Sequence, residues 1–223
     1  MPKAIPKGDE TRARILAAAM ELFQQQGFDA ATMRAIAAEA GVATGAAYYY
    51  FDSKDAIVMA FYEQAQNDLE PLLEAAIDTG RDLKTLLKTV IETKFHYFEP
   101  NRRLLGALAA HTDPAHSLSP FSPQTSKIRS RDMQFFTRLL ERDRVRVPAD
   151  LKDHLPRILW MYQMGLILYW VFDRSPRQKR TGVLLEKSLP VVARLVQLAG
   201  LPLLRPVRKM VVELVDAVVE DAA

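Results

Sequence analysis

The stretch TMRAIAAEAGVATGAAYYYFDSK, Thr32 to Lys54, decides the fold. It predicts a short helix over Met33–Ala40, opened by the polar cap Thr32 and ended by Gly41. A second short helix follows from about Thr44 to Tyr50. The joint between them, Ala40–Gly41–Val42–Ala43, has the dimensions of a helix-turn-helix: the glycine permits a tight turn, and Val42 plugs the angle between the helices. Ala37 and Ala38 are small, which suits close packing. The second helix is then presented outward, at a size that enters a major groove about 12 Å wide.

Upstream, Ile15, Leu16, Ala19, Leu22 and Phe23 form one stripe at helical spacing over Thr11–Gln26, which Gly27 stops. Downstream, Asp52–Ser53 caps a long helix from Lys54 towards Ile77. Leu83, Leu86, Leu87, Val90, Ile91, Phe95 and Phe98 make the next stripe, closing at Glu99–Pro100. Helices are expected over Arg102–Ala110, Ser126–Arg144, Asp150–Asp173, Pro176–Ala199 and Arg205–Val219, with a proline-bearing loop at His111–Gln124. No run alternates as a strand would. The fold class is all-α: an N-terminal helix-turn-helix domain over residues 1–52, led by a mobile arm at 1–8, and a larger helical domain over 53–223.

Composition narrows the chemistry. The 223 residues contain no cysteine, which excludes a disulfide scaffold, an iron–sulfur cluster, a Cys-ligated zinc, a cysteine nucleophile and a thiol-based redox sensor. Hydrophobic residues at 49% and charged residues at 26% are ordinary globular values. Met1–Gly8 has no apolar run after it, so no signal peptide is expected there. The most lipophilic run, Ile158–Phe172, would extend about 22 Å as a helix, short of a hydrocarbon core of about 30 Å. A soluble, cytoplasmic chain is expected. His111, Asp113, His116 and Ser117 raise a metal site or a hydrolase as alternatives, but they sit in one loop without a third ligand at a characteristic spacing. No catalysis, metal or cofactor is expected.

The candidate nucleic-acid contacts are few. Thr32 and the N–H groups behind it offer hydrogen bonds to a phosphate, and Tyr48, Tyr49 and Lys54 stand where phosphates would pass. Arg34 faces solvent and is a further candidate.

Here the chain resembles a known family. Thr11–Arg12–Ala13–Arg14–Ile15–Leu16 through Phe23, Gly27–Phe28, Thr32, Ile36–Ala37, Ala40–Gly41–Val42, Gly45, Tyr48, Tyr50–Phe51 and Ser53–Lys54 are similar in order and spacing to the TetR family of bacterial repressors. The match covers about residues 9–60, roughly a quarter of the chain. The resemblance implies that Thr32, Tyr48, Tyr49 and Lys54 hold phosphates, that Thr44, Gly45 and Ala46 face base edges, and that Tyr50 and Phe51 pack inside. Ala43 departs from the polar helix cap common at its position, and Ala46 and Ala47 offer no hydrogen bonds. Readout then rests on Thr44, methyl contacts and shape.

The resemblance also implies a homodimer on double-stranded operator DNA and a ligand cavity in the second half. For the dimer, Leu155–Phe172 is apolar nearly all round, and Thr181–Ala199 is similar, so two helices from each subunit would close a four-helix bundle. Its candidate contacts are Leu166, Tyr169, Val183 and Leu184, with Leu189, Val192, Leu195 and Val196. Pro190 should kink the second of these helices, with Ser188 covering freed backbone. The last helix, an addition to the family's usual nine, should pack on the same bundle through Leu204, Val207, Val211, Leu214 and Val218.

Candidates for the cavity are Phe95, Phe98, Leu104, Leu108, Phe121 and Met133, then Phe136, Trp160, Met161, Met164 and Leu168, with His111 as a polar group. The implied effector is small and lipophilic, and anionic and acyl-CoA-like on the charge balance: residues 102–180 hold 15 basic and 7 acidic groups, whereas residues 1–63 hold 6 basic and 8 acidic. A competing reading places the apolar and basic segment 158–180, with Arg174, Arg177, Lys179 and Arg180, at a membrane surface.

Overall fold

The computed structural model describes residues 7–79, 82–109, 111, 113–141 and 147–220. Among them are ten α-helices and no strand: α1 (Lys7–Gln26), α2 (Met33–Glu39), α3 (Thr44–Tyr50), α4 (Lys54–Thr79), α5 (Leu83–Phe98), α6 (Arg102–Leu108), α7 (Ser126–Leu140), α8 (Leu155–Phe172), α9 (Lys179–Ala199) and α10 (Arg205–Glu220). Of the expected arm, residues 1–6 lie outside the described residues, and Lys7 and Gly8 belong to the first turn of α1. The expected helix ends at Ala110 and Arg144 also lie outside them.

Asp150–Asp173 is two elements rather than one helix. A 3-10 turn over Ala149–Leu151 precedes α8, which starts at Leu155. Pro156 explains the start: it has no N–H to give, and a helix's first turn is where none is needed. α9 runs unbroken through Pro190, and the Ser188 hydroxyl shares a hydrogen bond with that of Tyr162 at 2.6 Å, joining α9 to α8 rather than covering its own backbone.

The chain divides into two compact units, Met1–Asp68 with Tyr97–Arg129, and Leu69–His96 with Ser130–Ala223. The core of the first is made by Ile15, Ala19 and Phe23 of α1, Ile36 and Ala37 of α2, and Ile57, Val58 and Phe61 of α4. Each isoleucine, valine and phenylalanine among them contributes about 1.5–3 kcal/mol by leaving water, and each alanine less. α2 closes with two reversed bonds: the Val42 N–H donates to Ala37 O at 2.9 Å, and the Gly41 N–H to Ala38 O at 3.1 Å. This is a Schellman ending, and it puts Gly41 at φ +65°.

In the second unit, α5 buries Leu83, Leu86, Leu87, Val90 and Ile91, α8 buries Leu155, Leu159, Trp160, Leu166 and Trp170, and α9 buries Leu185, Leu189 and Val196. Most of the lipophilic run Ile158–Phe172 that turns inward is therefore covered by protein. No single helix among the described residues is long and apolar enough to cross a membrane; Pro176–Ala199 and Pro202–Ala217 pass that test only as a pair bent by 96°.

Asp173, just past α8, ties the two helices together. Its carboxylate accepts from the Ser175 N–H at 2.9 Å, the Thr181 N–H at 2.8 Å and the Thr181 hydroxyl at 2.7 Å. Desolvation alone would raise its pKa, but the bonds from Ser175 and Thr181 outweigh that and hold it far below the usual carboxylate range.

α10 differs from expectation. Val207 and Leu214, read as part of its inward stripe, face solvent with Leu203 and Met210, whereas Leu204, Val211, Val212 and Val215 are half-buried. The Val218 side chain lies outside the described residues. The rotation is set by Arg208, which pairs with Asp150 at 2.8 Å and donates to Ala199 O at 2.7 Å at the end of α9.

Two measurements check these assignments. A Cβ at Gly41 would meet nothing within 4 Å, so Gly41→Ala suffers backbone strain alone and should lose about 1–2 kcal/mol in urea unfolding. Asp173→Ala should unfold more readily than the parent at neutral pH. Because the folded-state pKa is lowered, that difference is present above the unfolded value of about 3.9 and should shrink as pH falls below it.

Candidate DNA-reading surface and sensor residues

α3 is seven residues long and buries only Ala47. Ala47 therefore faces the core, while Thr44 and Gly45 are exposed and Ala46 is half-buried. The N-cap, Ala43, makes no side-chain capping bond, so the N–H groups of Thr44 and Gly45 have no side-chain cap, while the Ala46 N–H donates to Ala43 O at 2.9 Å. Tyr48 and Tyr49 are 52% and 84% exposed, large for aromatic rings. Tyr50 is half-buried and meets Tyr49 edge-on at 5.1 Å, and Phe51 is buried. The neighbouring Thr32 accepts the Ala35 N–H at 3.2 Å as the cap of α2, which leaves its own hydroxyl proton available; Arg34 is exposed beside it.

The cations nearest the reader are engaged within it. Lys54 Nζ donates to Phe28 O at 2.6 Å and Asp29 O at 3.3 Å, and it lies 4.5 Å from the Phe28 ring centre. It clamps the start of α4 to the turn after α1. Arg14 donates to Ala40 O at 3.1 Å, capping the end of α2, and the Arg12 guanidinium lies 4.8 Å from the Phe51 ring centre. These partners are far apart in sequence, and no spacing rule points to them.

The twelve candidate cavity residues fall in different units. Phe98, Leu104, Leu108, His111 and Phe121 are in the first, and there Leu104 and Leu108 are core residues packed with α1 and α4. His111 stacks on His116 at 4.0 Å, and Phe121 is exposed. The loop carrying them is bonded to α4 and within itself: the Ser117 hydroxyl donates to Asp55 of α4, and the Leu118 N–H to His116 Nδ1 at 3.2 Å.

Phe95, Met133, Phe136, Trp160, Met161, Met164 and Leu168 are in the second unit. Phe95 stacks on Trp170 at 5.0 Å, Phe136 and Trp160 are buried, Met164 and Leu168 are half-buried, and Met161 is exposed. Met133 lines an open cleft of about 650 Å³ with Thr137, Arg157 and His154.

Sequence reasoning missed Lys94, Asp132 and Gln163. Lys94 Nζ donates to Asp132 Oδ1 at 2.8 Å, and Gln163 Nε2 to Asp132 Oδ2 at 3.2 Å. Their signal was available: each of Lys94 and Gln163 interrupts an apolar stripe at a core-facing position.

Of the candidate dimer contacts, Leu166, Leu189 and Val196 are buried within the subunit, and Leu184 and Val192 are half-buried. Tyr169, Val183 and Leu195 are exposed, together with Met161, Phe172, Val191 and Leu198 on the same two helices.

Comparison with known proteins agrees with this architecture. The family description "Bacterial regulatory proteins, tetR family" matches residues 15–61, and "Tetracyclin repressor-like, C-terminal domain" matches residues 86–215. The HTH-type transcriptional regulator SrpR of Pseudomonas putida is 41% identical over 68 residues, covering 30% of this chain and 32% of that protein. The HTH-type transcriptional repressor KstR2 of Rhodococcus jostii is 28% identical over 119 residues, 51% of this chain and 57% of that one. The HTH-type transcriptional activator FasR of Mycolicibacterium smegmatis is 33% identical over 91 residues, 41% and 42%. The matches thus span about a third to just over half of these relatives' own length.

Among solved structures, Thermus thermophilus FadR, a TetR-family repressor in complex with lauroyl-CoA, has a TM-score of 0.62 at 22% identity, over 85% of this chain and 95% of that one. Bacillus subtilis FadR in complex with stearoyl-CoA has a TM-score of 0.59 at 17% identity, over 78% and 95%. These likenesses carry the fold. With both family descriptions matched, the second across more than half of this chain, the chain belongs to the TetR family of bacterial regulatory proteins.

Proposed function

We propose that the protein is a cytoplasmic, homodimeric repressor without catalytic activity. In this reading residues 1–52 read a pseudo-palindromic operator, and residues 53–223 take up a small lipophilic, acyl-CoA-like effector that releases the DNA. The observation carrying the reading is α3, exposed along Thr44, Gly45, Tyr48 and Tyr49 and held to the core by Ala47. Thr32, Tyr48 and Tyr49 contact phosphates, Arg34 adds a charge at the rim, and the first turn of α3, Thr44–Ala46, meets base edges. Lys54 acts by holding α4 to the turn after α1. Support for the effector class comes from the two FadR proteins, whose solved complexes contain lauroyl-CoA and stearoyl-CoA.

Pairing uses the exposed apolar face of α8 and α9. Tyr169, Val183 and Leu195 are its contacts, while Leu166, Leu189 and Val196 hold each subunit's own hairpin. Release is a population shift. To change operator occupancy substantially, the effector must favour the DNA-incompetent state by a few kcal/mol.

Operator fragments selected from genomic DNA by the purified protein, and freed by a long-chain acyl-CoA, would bear this out; selection that no effector of that class reverses would remove the effector part. Tyr48→Ala and Tyr49→Ala should each weaken operator and unrelated DNA alike, by up to about tenfold in gel shifts, with an unchanged melting temperature. Lys54→Ala should weaken DNA binding and lower the melting temperature together. Leu195, 60% exposed, tests the pairing: Leu195→Glu should sediment as a monomer and lose operator affinity while keeping its helical circular dichroism.

A further inference from the structure

Two apolar stripes in the second unit are interrupted by polar residues, and the interruptions meet. Lys94 follows Ile91 on the buried stripe of α5 and is 4% exposed. Gln163 sits between Leu159 and Leu166 on the buried face of α8 and is 1% exposed. Asp132 of α7 joins them, with one carboxylate oxygen on the Lys94 ammonium and the other on the Gln163 amide nitrogen. Lys94 and Asp132 thus answer each other's charge.

What remains is Gln163 Oε1, buried and reached by no donor. Turning the amide over would set that oxygen against the Asp132 carboxylate, so the bond to Nε2 fixes which end is left over. An unpaired buried acceptor is destabilising, and a leucine at this position of α8 would carry no such penalty. Phe95 stacked on Trp170, with Trp160 and Phe136, adds aromatic rings to this unit's largely aliphatic interior.

We propose that Gln163 Oε1 is the acceptor for a hydrogen-bond donor carried by the effector, so the ligand class is an aliphatic molecule with a hydroxyl or amide N–H. This rests on the effector-binding reading above and narrows it. Lys94, the buried cation among the described residues of this trio, is already paired with Asp132 and is not spare for a carboxylate. A fatty-acid anion also has no proton to give at neutral pH. In an acyl-CoA the groups that qualify on the pantetheine arm are its two amide N–H groups and its hydroxyl.

The test uses the full chain and its two tryptophans, Trp160 and Trp170, both buried in α8. Medium- and long-chain primary alcohols are titrated against their isomeric methyl ethers, which match them in size but lack the donor. The alcohols should bind about tenfold more tightly. Gln163→Met, close in shape, should erase that ratio while leaving ether affinity in place, and Gln163→Asn, which keeps the amide but shortens its reach, should erase it too.

Equal affinities for alcohol and ether in the parent protein would overturn the donor requirement, whether or not either variant folds. A ratio that persists in both variants would overturn the assignment to Gln163. If no member of any pair alters fluorescence or melting temperature, the effector reading falls and the inference with it. Binding without discrimination sinks the inference alone.

Discussion

Everything the DNA reader does depends on anchoring two helices too short to stand by themselves. Seven residues form fewer than two full turns, far below the length at which an isolated helix persists in water. α2 solves this with Met33, Ile36 and Ala37 in the core and with caps at both ends: Thr32 at the start, and the Gly41 turn with Arg14 at the finish. α3 has only Ala47 inside. Its orientation is therefore inherited, on one side from the left-handed Gly41 and on the other from buried Phe51. A methyl group is the right anchor there, because a larger side chain would push the reading face away from the core it shares with α2.

That economy explains why this region was legible in the sequence. Thr32, Gly41, Asp52 and Ser53 are local signals, each acting within three or four residues of itself, and α3 falls over Thr44–Tyr50 as its pattern predicts. Ala47 is the exception. Read along the chain it is one of two alanines that offer a base nothing, and only the packing assigns it to the core and leaves Ala46 at the surface edge. Lys54 is another: its position suggests a phosphate, and its partners, the carbonyls of Phe28 and Asp29, are 26 and 25 residues away.

The second unit was legible as helices and less so as a site. Stripes along α5, α8 and α9 predict which faces turn inward, but not which neighbour each face meets. Leu104 and Leu108 show the consequence: as apolar residues of a short helix they suit a cavity wall, yet they complete the core around α1. α10 shows it differently, being apolar on two sides, so that the Arg208 clamp rather than hydrophobicity selects the side that packs. The polar trio of Lys94, Asp132 and Gln163 needed three helices at once. Each residue alone looks like a blemish in a stripe.

The thin positive charge of the DNA-reading end bears on how such a regulator would partition across a chromosome. Residues 1–63 hold 6 basic and 8 acidic groups, and the cations among the described side chains of residues 8–63 are Arg12, Arg14 and Arg34, all exposed, and the half-buried Lys54. Sequence-independent affinity grows with the number of phosphates neutralised and counterions released. On the proposed function, a reader of net negative formal charge would be held weakly by arbitrary DNA. It would slide over short distances, return to bulk solution often and leave little of itself on non-operator sites. Occupancy of the operator would then depend on fit at α3, and a modest loss of that fit would be enough to empty the site.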